Sequence, residues 1–152
     1  MPPGGQTNRQ LSLMSIYSSI VPDPENSQHL PVLLNEVMTG LALTPTAMAI
    51  DGTLGGGGHT AQILTHAAPN GRVLGIDADP AAIRRNRKRF ATELASGRLI
   101  IAQGRFGEMQ QIATAAGFTA VDAILLDLGV SSFQVDTAER GFSFSQDGPL
   151  DM

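Results

Sequence analysis

The residues of this sequence that could do chemistry sit in four places, each just after a short apolar run. The first is Asp51-Gly52-Thr53-Leu54-Gly55-Gly56-Gly57-Gly58-His59. Five of the seven residues from Gly52 to Gly58 are glycine, which lets a ligand approach the backbone closely. Gly56, Gly58 and Ala61 satisfy the dinucleotide pattern G-x-G-x-x-[GA], a weak signal by itself. No Gly-Lys-Ser/Thr follows, so a phosphate-cradling P-loop is excluded. The acid that opens the run, Asp51, favours a cationic ligand. It can face an ammonium directly or through a water, and it would repel a pyrophosphate. S-adenosylmethionine carries an ammonium and a sulfonium and has no phosphate. A flexible linker is the plain alternative. The position of the run, after a strand and before a helix, argues against it.

The second place is Asp77, 22 residues after Gly55 and at the end of the run RVLGID. A carboxylate there can accept hydrogen bonds from both hydroxyls of a ribose. Capping the next helix is the alternative role, but Asp79 is better placed for that. This spacing does not separate a methyl donor from NAD. The third place is Gln103-Gly104-Arg105-Phe106, where Phe106 either walls off an adenine or packs into the core. The fourth is Asp127, leaving the apolar run VDAILLDL. A carboxylate there is costly without a partner or a task. It could accept a proton during attack on a methyl group, or it could simply cap a loop.

These four places need a frame that brings them together. The spacing predicts a helix over Leu30 to Leu43, with Leu33, Val37 and Leu41 on one face, ended by Pro45. Strands are expected at Ala47 to Asp51, Arg72 to Asp77, Leu99 to Gln103 and Val121 to Leu128. Helices are expected between them, over His59 to Ala68, from Pro80 to about Ala95, and over Gly107 to Ala116. The alternation implies an α/β fold with a parallel sheet covered on both faces, doubly wound in the Rossmann manner. Its strands read as continuous apolar runs, as buried parallel strands do. From Gly129 onward no period is visible, and a long ordered loop is expected. Residues 1–28 are rich in Pro, Gly, Ser, Asn and Gln and read as a flexible tail.

Composition narrows the function classes. The chain has 152 residues, 42% of them hydrophobic and 16% charged, enough for one domain with one core. It contains no cysteine, which removes disulfides, zinc-thiolate sites and cysteine nucleophiles. His59 and His66 have no other donor at ligand spacing, so no metal is expected. No apolar run reaches the length of a membrane span, and no secretory signal is visible. The net charge of −4 argues mildly against a nucleic-acid partner. Half of the ten basic residues, however, fall in Arg84 to Arg89. That cluster reads first as a solvated helix face and second as a contact for RNA phosphates.

Four runs resemble one family, ribosomal RNA small subunit methyltransferase H. They are His29 to Leu34 with Glu36-Val37; Asp51 to Gly55 leading into Gly57-Gly58-His59; Leu74 to Asp77 with Asp79-Pro80; and Leu125 to Ser132 continuing through Gln134, Asp136, Glu139 to Ser143 and Asp147 to Met152. The last run (LLDLGVSS, ERGFSF, DGPLDM) is long and specific. The likeness covers residues 29–152. It implies a methyltransferase domain that binds S-adenosylmethionine and methylates N4 of a cytidine near the decoding centre of 16S ribosomal RNA, in the cytoplasm. It also implies cofactor contacts at Gly57, Gly58, His59, Asp77, Phe106, Asp127 and Gln134. The target base must be unstacked to react, and Phe133, Phe142 and Phe144 are candidates to stack on it.

The sequence departs from the family at Phe133, where proline is usual, and at Arg105, usually a small or amide residue. The family continues beyond Met152, so the fold is expected to be cut after strand four, about halfway along. A chain cut there would show an apolar, unpaired strand edge and have little activity alone. Two other readings stand beside this one: an NAD-dependent oxidoreductase on the same fold, and a non-catalytic binding module.

Overall fold

The computed structural model describes residues 33–149. The expected N-terminal tail, 1–28, lies outside them.

The chain alternates helix and strand. Helix α1 (Leu34–Leu41) leads to β1 (Met48–Asp51), α2 (Gly58–His66), β2 (Arg72–Asp77), α3 (Pro80–Arg89), α4 (Ala91–Ala95) and β3 (Leu99–Gln103). A 3-10 turn (Phe106–Glu108), α5 (Met109–Ala115), β4 (Ala123–Leu125), a short α6 (Ser132–Val135) and a second 3-10 turn (Ala138–Arg140) follow. The four strands form one parallel sheet in the order β3-β2-β1-β4. The chain therefore winds outward from β1 through β2 to β3, then returns to the other side of β1. That reversal opens a crevice beyond the carboxyl ends of β1 and β4, where doubly wound sheets hold their ligands.

The sheet is apolar on both faces, and alternate residues serve each. Ala49, Val73, Leu99 and Ile101 pack with Met38, Ile63, Leu64, Ile83 and Phe90 from α1, α2, α3 and the break after α3. Ile50, Leu74 and Ile76 pack on the other face with Ala113, Phe118 and the partly buried Met109 and Ile112. The second face is covered less completely. Ile124, level with Ile50 in the register, remains 50% exposed.

Several boundaries differ from the sequence expectation. Leu33, the first described residue, lies in the left-handed region at φ 57, and α1 begins after it. The inward face of α1 is Leu34, Val37, Met38 and Leu41, while Leu33 is exposed. The helix expected to run to Ala95 breaks at Phe90, whose φ and ψ of −106 and 34 are not helical. Its ring is nonetheless buried in the core. Strand pairing in β4 stops at Leu125, so Asp127 lies past the strand rather than at its end. The stretch after Gly129 contains α6 and a 3-10 turn rather than loop alone.

Candidate functional site

The turn after β1 is fixed from below. Asp51 is fully buried and accepts hydrogen bonds from Thr60 Oγ1 at 2.6 Å and from the Thr53 amide at 3.2 Å. Burial pushes its carboxyl above the ordinary 3.8, against the lowering effect of those two bonds and of His59. Asp51 thus ties the first turn of α2 to the start of the loop. It does not line the cavity above, which corrects the expectation that it faces a ligand's ammonium.

Asp77 holds the same turn from the side. Its Oδ2 accepts the Gly55 amide at 2.7 Å and its Oδ1 accepts the Asp79 amide at 2.8 Å. Each carboxylate oxygen can take a second donor, so both stay able to receive hydroxyls. Asp79 caps α3 by accepting the Ala81 amide at 2.9 Å, the role its position predicted.

Asp127 comes to the site from β4. Its amide donates to Thr53 Oγ1 at 2.7 Å, and the Gly52 amide donates to Leu125 O at 2.9 Å. The turn after β1 and the segment after β4 are therefore tied together. The Asp127 carboxylate is largely exposed and lies 3.7 Å from Nδ1 of His59, a side chain that is itself buried. Nε2 of His59 is buried without a partner among the described residues.

These groups surround one cavity of about 880 Å³, a volume suited to a small-molecule ligand. Gly58, His59, Asp77, Phe106, Asp127 and Gln134 all lie on its wall, so six of the seven residues singled out from sequence share one space. Gly57 does not. It backs onto α3, its φ is 78, and its amide donates to Leu54 O at 2.7 Å. Gly55 and Gly56 present the turn to the cavity in its place. Phe106 is half exposed, as a wall residue rather than a core one. Gln134 Oε1 accepts the Ser131 amide at 2.8 Å, which leaves its side-chain amide N–H groups to donate. Among the aromatic residues expected near the acceptor, Phe133 lines the cavity, Phe142 is partly buried and Phe144 is fully exposed. No group of three or more His, Cys, Asp or Glu suited to a metal ion occurs among the described residues. No helix among them is long and apolar enough to cross a membrane.

Sequence reasoning missed the residues that shape the turn from α3. Asn86 Nδ2 donates to Gly55 O at 2.8 Å, Arg85 Nη2 to the same oxygen at 3.2 Å, and Arg89 Nη1 to Gly56 O at 2.7 Å. The reading of Arg84 to Arg89 as a solvated face therefore holds for Arg84, Arg87 and Lys88, which are exposed, and fails for Arg85. The available signal was Asn86. A poor helix former inside a helix suggests that its side chain is wanted elsewhere.

The chain matches the model of the MraW methylase family over residues 26–152. It belongs to that family. It is 51% identical over 125 residues to ribosomal RNA small subunit methyltransferase H of Methylobacterium nodulans, covering 82% of this chain and 36% of that protein. It is 49% identical over 128 residues to the protein of the same name from Methylorubrum populi, covering 84% of this chain and 36% of the relative. The chain thus spans little more than a third of these relatives' length, rather than the half expected. Among solved structures it resembles one assigned as an rRNA methylase from Clostridium thermocellum, with TM-score 0.53 and 22% identity over 64% of this chain and 52% of that one. Another, assigned as an O-methyltransferase from Klebsiella pneumoniae, gives TM-score 0.50 and 16% identity over 78% of this chain and 60% of that one. Those two show the shared α/β fold. Family membership removes the oxidoreductase reading.

Proposed function

We propose that this chain forms the S-adenosylmethionine-binding part of a methyltransferase that acts on N4 of a cytidine in the decoding region of 16S ribosomal RNA, in the cytoplasm. One observation carries the donor assignment. Asp77 ends β2 and Asp127 lies just past β4, the two strands that flank β1, and both stand on the wall of the cavity that the glycine turn of β1 enters. The Asp127 carboxylate beside a close-approach turn suits a cationic ligand and opposes a pyrophosphate, while Asp77 suits a ribose. The cavity volume and the unpartnered Nε2 of His59 fit a ligand with several polar groups.

S-adenosylmethionine, when bound, supplies an electrophilic methyl group on a sulfonium. The chain's own residues hold and orient. Asp77 would accept from the ribose hydroxyls, Phe106 would lie against the adenine, and Gly58, His59 and Gln134 would contact the remainder of the donor. Gly57 acts from behind by giving the turn its shape. Asp127 stands at the methyl end. The amino group of cytosine is a weak nucleophile, because its lone pair is delocalised into the ring. It needs alignment and an acceptor for its proton, and Asp127 takes that proton. The names borne by the relatives support ribosomal RNA as the acceptor.

Calorimetry on the 152-residue chain with S-adenosylhomocysteine and, separately, NAD tests the donor. Binding of the first and not the second is expected; the reverse overturns the reading. Incubation with labelled donor and unmodified small subunits tests the acceptor. Label in N4-methylcytidine supports the assignment, and label in any other nucleoside refutes it. Product binding without transfer would favour a binding module over a self-sufficient enzyme.

A further inference from the structure

We propose that Arg85 is a positioning residue for the donor cavity, a strut that sets two of its walls against each other. The inference rests on the donor reading above for its ligand, though not for its geometry. The first wall is the glycine turn, whose Gly55 carbonyl accepts from Arg85 Nη2 at 3.2 Å. The second is the segment from Ser131 on, past the link of Asp127 to Thr53. There the Phe133 ring lies under the Arg85 guanidinium, with Cζ 3.8 Å from the ring centroid. Turn and ring also approach each other directly, since a Cβ placed on Gly56 would stand 3.4 Å from Phe133 Cε2.

What makes the strut matter is how little else holds that second wall. Among the described residues, the backbone hydrogen bonds of 131–149 outside its helices run within the segment, as from Gln134 and Val135 to Ser131 O or from Arg140 to Thr137 O. Among the described residues, the polar links from it to the rest of the fold are side-chain contacts with α3 and its cap. Arg85 holds Phe133, and Arg140 Nη2 meets Asp79 Oδ2 at 2.6 Å. Phe133 is followed directly by Gln134, and both face the cavity. A guanidinium suits the task because it can stack through its face while donating from its edge. Arg85 is partly buried, and its Nε has no partner among the described residues. Desolvation and stacking therefore fall on the same group, the setting in which cation–π contacts are strongest.

The test uses the whole 152-residue chain and two readouts. Hydrogen exchange without ligand compares wild type with Arg85→Ala, Phe133→Ala and Phe133→Tyr. Phe133→Ala should speed exchange at Gly55 to Gly57, across the strut from the altered side chain, and Phe133→Tyr should restore it. Calorimetry with S-adenosylhomocysteine should show each alanine variant weakened about tenfold, the double variant no worse than the weaker single, and Phe133→Tyr near wild type. Unchanged exchange at the turn in Phe133→Ala, or losses that add fully in the double variant, overturns the proposal. If Arg85→Ala fails to fold, the Phe133 pair still decides it. If wild type does not bind the product at all, the donor reading fails, while the exchange data still judge the strut.

Discussion

The amide of Gly55 donates to Oδ2 of Asp77 at 2.7 Å, so the turn after β1 is fastened to the acid that ends β2. The carboxylate singled out for a ribose is also a structural clasp, and its second oxygen opens the loop into α3 through the Asp79 amide. Asp77→Ala should then cost twice. Two amides lose a charged acceptor, which lowers stability by about 1.5–3 kcal/mol. Affinity for S-adenosylhomocysteine should fall by more than tenfold if Asp77 takes the proposed ribose role, because the turn loosens as that acceptor goes. Urea denaturation and calorimetry separate the two losses. Full affinity in a destabilised Asp77→Ala would show that the clasp is all Asp77 provides.

Asp51 should make stability depend on pH in the direction opposite to a salt-bridged acid. Burial raises its folded-state value above the ordinary 3.8. The folded chain then binds the proton more tightly than the unfolded chain. Its contribution to stability is greatest below 3.8 and declines as pH rises through the folded value. The slope per group is at most about 1.4 kcal/mol per pH unit. Asp51→Asn removes this titration. The stability gap between wild type and Asp51→Asn should shift toward the variant as pH rises through that window, then level off. Denaturation series across pH measure it, and a gap that stays constant or moves the other way contradicts the assignment.

The parts of the fold legible in the sequence were those set by local apolar runs. β2 and β3 lie at the residues expected, and the glycine turn sits where its context required it. Six of the seven residues singled out for binding reach one cavity because a parallel sheet gathers whatever follows its strands. What could not be read depended on partners distant in the chain. Asp51 looked outward because its sequence neighbours are glycines, yet Thr60, one turn into α2, claims its carboxylate. Arg85 looked solvated because its neighbours are basic, yet Gly55 and Phe133 claim its guanidinium. The break at Phe90 likewise answers to the core, which the helical period of α3 and α4 does not reveal.

Gly57 and Gly97 offer a controlled comparison. Both have positive φ, 78 and 74, so alanine is strained at either. A Cβ at Gly97 meets nothing within 4 Å, whereas one at Gly57 would collide with the buried Asn86 and lie 2.7 Å from Phe90 Cε2. Gly97→Ala should cost about 1–2 kcal/mol from the backbone alone. Gly57→Ala should cost about 2–5 kcal/mol, adding the overpacking of α3 against the turn. Equal losses in thermal or chemical denaturation would mean that α3 yields freely and does not brace the turn.

The outer face of β4 should govern how the chain behaves in concentrated solution. Among the described residues β4 is an edge of the sheet, with Ile124 on it 50% exposed and Leu126 just past it 42% exposed. The two leave apolar surface beside an edge whose outer side carries no paired strand. Such an edge invites pairing with another chain, and charge on it is the common remedy. Ile124→Lys should therefore lower the weight-average mass seen by sedimentation at high concentration. It should change folding stability by no more than about 0.5–1 kcal/mol, since half of the side chain already meets water. Ala123→Lys is the contrasting variant. Ala123 is buried on the opposite face of the same strand, so its replacement should unfold the chain instead of making it more soluble. Association that persists unchanged in Ile124→Lys would place the sticky surface elsewhere, with the fully exposed Phe144 next in line.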